Sequence, residues 1–370
     1  MRRSPYYIDV MLGMPYYYLD FDWGPLGAQV PRPDGFRVVE EVAGAPCTEF
    51  RPSGSGNMHV YLLTKVGVDH STAMRLASRL LGSRPHVIGI KDSNAVTCQL
   101  VYTVGGSPRV REARRGGVEV RYLGDHDRRV EHTGNRFSIR VVTQRLDELA
   151  RRVSALASAK RLPAYFGYQR FGLVRPNSHT VGRAIVRGNL REALDLLLGR
   201  PFSGEPEAWR EFRELYDRGM YREALEAAPR SLWPEARVLR ELLRSGDPAR
   251  AMRRYPMPLS FFVEAYQSYL FNLCLSRYLE ANEVPERIVV PSSASRAEGA
   301  CRDVMNEEGV SELASSELSI RARDMVRDSF MEVRGLGLSG EWLEFSLGRG
   351  MYATVVLREL LRQDPLTFAG

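Results

Sequence analysis

The amino-acid sequence predicts an α+β protein: a mixed strand-and-helix domain interrupted by a helix-rich insertion. Three observations carry that prediction. Stretches with apolar residues at every second position recur between residues 36 and 142. Helical spacing then runs almost unbroken through residues 178–282. The last 30 residues return to one strand pattern followed by one helix pattern. A chain of 370 residues has room for about two domains.

The elements follow in order. The first 30 residues are aromatic and punctuated by Pro and Gly, as in a loop. FRVVEEVA from Phe36 and NMHVYLLTKV at 57–66 read as strands. A helix follows, with Ser71 as expected N-cap, Gly82 just past its end, and Ala73, Leu76, Ala77, Leu80 and Leu81 at helical spacing. HVIGI (86–90) and QLVYTV (99–104) read as strands on either side of the turn KDSNAVT. VEVRYLG (118–124) and NRFSIRVV (135–142) alternate as strands, the second with Phe137, Ile139 and Val141 on one face. Residues 144–160 form an amphipathic helix. The dense stretch PAYFGYQRFG (163–172) precedes the helical region, and GEWLEFSLG (340–348) with MYATVVLRELLRQD closes the chain. No repeat of fixed period is present.

Composition excludes several classes. With 44% hydrophobic and 26% charged residues the chain is not of disordered type. No run approaches the 18 apolar residues of a membrane span, and the basic start MRRSPYYID is not followed by a secretory h-region. The four cysteines, Cys47, Cys98, Cys274 and Cys301, form no CxxC pair, which argues against a zinc site or a disulfide scaffold and for a reduced cytoplasmic location. Formal charge is 52 − 45 = +7, compatible with nucleic acid or simply with solubility. Only Lys65, Lys91 and Lys160 are lysine, against 49 arginines, so a surviving lysine marks a position that requires one. Residues 109–129 concentrate seven arginines against four acids, a phosphate-gripping stretch or a solvated face of Arg–Glu pairs.

Motifs for several chemistries are missing. There is no GxxxxGK[ST] loop and no GxSxG elbow, and GSGNMH (54–59) lacks the third glycine and the helix of a dinucleotide site. The six histidines contain no HxxxH pair, and His126 and His132 with Asp125 and Asp127 read as a solvated loop before a metal site. The stripe Phe262, Tyr266, Tyr269, Leu270 and Leu273 reads as helical core. Asp92 remains. It sits in a turn directly after an apolar strand, beside Lys91, whose charge favours the ionised carboxylate. Taken alone, Asp-Ser-Asn is also ordinary turn chemistry.

The surrounding words decide between these readings. PDGFRVVEE (33–41), IGIKDSNAVTCQ (88–99), GNRF (134–137), PAYFGYQRFG (163–172), FFVEAYQSYLF (261–271) and FSLGRGMYATVVLREL (345–360) occur in this order. Together they closely resemble the TruD family of tRNA pseudouridine synthases, in its archaeal-like form, over residues from about 11 to 362. The resemblance implies a mixed, mainly antiparallel sheet with flanking helices, formed by 1–172 and 336–370. It also implies a TruD-type insertion at 173–335 as a second lobe, with the cleft between them. It implies isomerisation of uridine to pseudouridine in tRNA, at position 13, with neither redox cofactor nor ATP, no metal, no membrane and no protein partner.

The family's aspartate falls on Asp92, which would attack the sugar or abstract a ribose proton. Phe137 matches the ring that stacks on the detached base; Phe36 and Tyr352 match positions lining the uridine pocket. Asn135 would bond the base edge or order the turn. Lys91 would keep Asp92 ionised or meet the phosphate of the flipped nucleotide. Arg170 would support the turn or bind phosphate.

Three positions depart from the family pattern: Val30 stands where a basic residue is usual, Ala164 where Asn is usual, and Asp34-Gly35 where Glu-Asp is usual. Either Arg32, two residues on from Val30, substitutes for it, or the N-terminal segment shifts register. A non-catalytic RNA binder or tRNA-folding chaperone retaining the fold is the alternative favoured by Val30, and a structural interaction module is a more distant one.

Overall fold

The chain enters its principal sheet at Phe36, where β-branched and aromatic residues replace the loop-forming residues before it. The structure is a computed structural model that describes residues 1–87, 89, 94–105 and 110–370. It divides the chain into two compact units: residues 22–162 with 331–368, and residues 1–21 with 163–330 and 369–370.

The first unit is built on one large sheet. Its main strands are β1 (Phe36–Val42), β2 (Met58–Val66), β3 (Val96–Val104), β4 (Glu112–Arg115), β5 (Val118–His126), β6 (His132–Arg140), β7 (Arg334–Ser339) and β8 (Trp342–Gly348). They lie in the order β7-β8-β6-β1-β3-β2-β5-β4. Short strands at 45–46 and 86–87 pair with β1 and β3. The pairing of β1 with β3 is parallel, and the neighbouring main pairings are antiparallel. This is the mixed, mainly antiparallel sheet that the sequence implies. β7 was not foreseen from the sequence, because Gly335 and Gly337 dilute its alternation.

Helices cover the sheet. α1 (His70–Leu81) buries Ala73, Ala77 and Leu81 in a cluster with Tyr61, Leu63, Val101, Val118 and Val120. It ends, as expected, at Gly82, whose φ of 68° suits glycine. Its N-cap is Asp69 rather than Ser71: the Asp69 carboxylate accepts from Thr72 N at 2.9 Å and from the Ser71 hydroxyl at 2.7 Å. Those bonds hold the Asp69 carboxyl down at about 2, against the opposing effect of its partial burial. α2 (Leu146–Ala159) and α9 (Ala353–Leu361) join this unit, the first through fully buried Arg152, which donates to Leu360 O at 2.8 Å and Gly24 O at 2.7 Å.

The second unit is mostly helical. It includes α3 (Ser178–Val186), α4 (Leu190–Leu198), α5 (Glu207–Asp217), α6 (Trp233–Ser245), α7 (Ser260–Ala281) and α8 (Gly299–Glu307). α7 is buried around its circumference, as the aromatic stripe at 262–273 predicts. α3 crosses it so closely that a side chain at Gly182 would meet Phe262 O at 1.9 Å. Cys274 of α7 and Cys301 of α8 form a disulfide, with Cα atoms 4.9 Å apart. The reading against disulfides is therefore corrected for this pair, while Cys47 and Cys98 are free thiols. The two lie 27 residues apart in sequence, and only the packing of α7 on α8 brings them together. No helix among the described residues is long and apolar enough to cross a membrane.

Candidate functional site

Strand register aligns the sequence-predicted aromatic residues. Phe137 of β6 lies opposite Val38 of β1 and Phe345 of β8. Val38 is in turn level with Thr97 of β3, and Thr97 with Lys65 of β2. Directly opposed residues share a face, so one row runs Lys65–Thr97–Val38–Phe137–Phe345 across five strands. The Phe137 and Phe345 rings stack with centroids 5.3 Å apart, and Phe36 meets Phe137 edge-on at 6.3 Å. All three rings are buried, which fixes the orientation of Phe137.

Polar groups occupy the neighbouring row. Asn135 lies opposite Glu40 and Leu347, on the same face as Phe137 two residues later. Glu40 is fully buried, and its carboxylate accepts from Leu100 N at 2.9 Å. His132 Nε2 stands 3.8 Å from Glu40 Oε1. The glycine of GNRF has a steric cause: a Cβ at Gly134 would meet Leu347 O at 2.3 Å and Glu41 Oε2 at 3.0 Å. Glu41 holds the far side of that crossing, accepting from Ser346 Oγ at 2.5 Å and from Arg334 at 2.8 Å.

Lys91 and Asp92 lie outside the described residues. The described residues on either side of them are anchored. Gln99 Nε2 donates to Gly89 O at 3.5 Å, and Gly67 N donates to Ala95 O at 3.2 Å. Arg32 donates to Asn94 O at 3.1 Å and to Phe368 O at 3.2 Å. Its guanidinium carbon sits 3.7 Å from the centroid of the Phe36 ring. Val30, the apolar departure, is buried. A single arginine thus links Asn94 to the aromatic row.

Tyr352 is the N-cap residue of α9, in a loop whose Arg349 N bonds Thr133 O at 3.1 Å beside the start of β6. Arg170 belongs to the helical unit, where it donates to Ser268 Oγ at 3.0 Å, approaches Glu264 at 3.6 Å and covers the Phe261 ring. Structure and register bring together Phe36, Phe137, Asn135 and Arg32.

Sequence reasoning missed three members of this face: Glu40, Gln99 and Lys65. Lys65 is fully buried and donates to Val68 O at 2.9 Å. Burial holds the nearby His70 imidazole below its ordinary value, and the Lys65 charge adds to the effect. The scarcity of lysine in an arginine-rich chain marks Lys65 as a required residue but does not say at which site.

A flat ring of fixed orientation, with an amide and a carboxylate in the neighbouring row, can hold a planar heterocycle by stacking and read its polar edge. The chain is similar to known proteins over most of its length. The profile of the tRNA pseudouridine synthase D (TruD) family matches residues 11–309. A Sulfurisphaera tokodaii protein named as a probable tRNA pseudouridine synthase D is 40% identical over 362 residues, covering 97% of this chain and 100% of that one. A Saccharolobus solfataricus protein of the same name is 35% identical, covering 99% and 100%. The crystal structure of a TruD candidate from Methanosarcina mazei superposes with a TM-score of 0.70 at 25% identity, covering 97% of this chain and 98% of that one.

Proposed function

We propose that this protein, which belongs to the tRNA pseudouridine synthase D family, isomerises uridine to pseudouridine in tRNA, at position 13, with Asp92 as its catalytic carboxylate. The observation that carries this reading is the row of Phe137 and Phe345, with Asn135 beside it and Arg32 joining Phe36 to Asn94.

The reaction breaks the bond between ribose C1′ and uracil N1 and forms one between C1′ and C5. N1 gains a proton and C5 loses one, so the base must detach, turn and reattach without leaving. Asp92 either attacks C1′ or removes a ribose proton. Phe137 offers a stacking surface that tolerates rotation in its own plane. Asn135 bonds the uracil edge, and Phe36 and Tyr352 limit the space available to it. Lys91 keeps the carboxylate ionised or meets the flipped nucleotide's phosphate. Lys65 adds positive potential from the sheet face. Arg32 stands in for the basic residue absent at Val30. Nothing in this sequence of bonds calls for a redox cofactor or ATP.

The test is tritium release from tRNA labelled at uridine C5, comparing wild type with Asp92→Asn. Release by wild type alone supports the reaction and the role of Asp92. A substrate lacking U13 then tests the position, and continued release from it would refute position 13. No release from either protein, with tRNA binding intact, would favour a tRNA-folding chaperone.

A further inference from the structure

The helical unit presents an exposed stripe of aromatic and basic side chains away from any motif. α6 begins at Trp233, whose side chain is large, aromatic and 54% exposed. At about 100° per residue, positions 233, 237, 240 and 244 fall within a narrow stripe. That stripe reads Trp233, Arg237, Arg240, Arg244, all exposed, while Val238, Leu239 and Leu242 are buried on the opposite side.

The arginines along this helix divide in two. Near the C-terminal end, Arg244, Arg250 and Arg254 converge on Glu241 at 2.7, 2.7 and 3.1 Å. Toward the N-terminal end, the guanidinium groups of Arg230, Arg237 and Arg240 make no ion pair or hydrogen bond to any described residue. Glu223 and Glu226, on the preceding short helix at Tyr221–Ala227, pair with none of them. Elsewhere in this unit Arg183, Arg191, Arg200, Arg213, Arg277 and Arg287 all have carboxylate partners. The ring itself is well placed. Trp209 Nε1 donates to Ser231 Oγ at 2.9 Å, securing the turn that enters α6, and Pro234 stiffens the first helical turn.

An exposed indole flanked by uncommitted guanidiniums is suited to unpaired nucleic acid: the ring stacks on a base and the arginines meet the adjoining phosphates. We propose that the N-terminal stripe of α6, Trp233 with Arg237 and Arg240 and the preceding Arg230, binds an unpaired segment of the tRNA substrate and contributes to affinity rather than to chemistry. This rests on the reading that tRNA is the substrate.

The experiment measures binding of an unmodified tRNA transcript to the full-length protein across a salt series, with tritium release in parallel. Arg237→Ala/Arg240→Ala should weaken binding and lower the slope of log K against log salt by about 1.5. Trp233→Ala should weaken binding by about 5- to 100-fold with the slope unchanged. Both should raise KM and leave kcat near wild type. Arg287→Ala, whose side chain Asp328 holds at 2.9 Å, serves as the paired-arginine control and should leave the slope unchanged. If wild type binds and modifies tRNA but the α6 variants bind as wild type does, the stripe is not an RNA surface and the proposed function stands. The same holds if the control loses as much as they do. If wild type neither binds nor modifies tRNA, both readings fall together.

Discussion

Arginine and an aromatic ring share a face in both units, under opposite conditions. In the sheet unit Arg32 lies 3.7 Å over Phe36, with hydrogen bonds to Asn94 O and Phe368 O. The ring is buried and the cation is committed. In the helical unit Trp233 is 54% exposed and its neighbours Arg237 and Arg240 are uncommitted. The same residue types serve different tasks because their surroundings differ. A committed guanidinium over a buried ring is a brace: it fixes geometry and has little capacity left for a ligand. Free guanidiniums beside an open ring have not yet spent their hydrogen bonds, and a phosphate chain can take them. The sheet unit thus holds its arginine rigidly, and the stripe on α6 leaves its arginines open to solvent.

The sharpest way to break this comparison is at the proposed centre of the sheet unit. Asp92→Asn should reduce tritium release at least about 10³-fold and leave the tRNA dissociation constant within a few-fold of wild type. A variant that lost binding and kept its rate would invert the assignment of the two regions.

Phe137 comes next. Phe137→Leu retains apolar bulk in the core but removes the stacking surface between Phe36 and Phe345. Loss of about 1–3 kcal/mol of stacking predicts a fall in kcat of roughly 5- to 150-fold. Phe137→Ala should additionally destabilise the fold by about 3–5 kcal/mol, because it leaves a cavity in a packed face. Thermal unfolding of the two variants separates the effects: a Leu variant that is stable and fully active would show that the ring is only core.

Lys65 tests whether the row continues beyond the aromatics. It is fully buried and level with Thr97, Val38 and Phe137. Lys65→Met keeps the length of the side chain and removes its charge. Losing its charge-assisted hydrogen bond to Val68 O should cost about 1.5–3 kcal/mol of stability, and losing its positive potential should lower kcat with KM little changed. An unchanged kcat beside a lowered melting temperature would make Lys65 structural.

Lys65 also shows where sequence reading stops. Phe36, Asn135 and Phe137 were legible because they sit in short words whose order along the chain is itself a signal. The strands holding them were legible through alternation, and α1 through its apolar spacing. Lys65, Glu40 and Gln99 stand in equally legible strands, but their meaning depends on which strands lie side by side. The parallel pairing of β1 with β3 joins residues 36–42 to 96–104 across an intervening strand and helix, and alternation does not encode that choice. The Cys274–Cys301 disulfide escaped for the same reason: it depends on the packing of two helices rather than on local spacing. The cap of α1 shifted from Ser71 to Asp69 for a more local reason. Both residues can cap a helix, and the bond to Thr72 N selects one of them.

The smallest expected effect of substitutions in the sheet unit is at Arg32, where the comparison between brace and open stripe is most direct. Arg32→Lys keeps the charge and gives up the planar fork that serves Asn94 O and Phe368 O together while covering Phe36. Loss of the cation–π contact costs about 0.5–1 kcal/mol, and one weakened hydrogen bond adds about 0.5–1.5 kcal/mol. Together, at about 1–2.5 kcal/mol, they predict a fall in kcat of at most roughly 70-fold. The salt slope of tRNA binding should not move, because a brace has no phosphate to release. At Arg237 and Arg240 the opposite pattern holds, with the slope changed and kcat retained. If Arg32→Lys altered the slope and spared kcat, Arg32 would be a phosphate ligand, and its bonds to Asn94 and Phe368 would describe only the RNA-free protein. The basic residue missing at Val30 would then still need a substitute elsewhere.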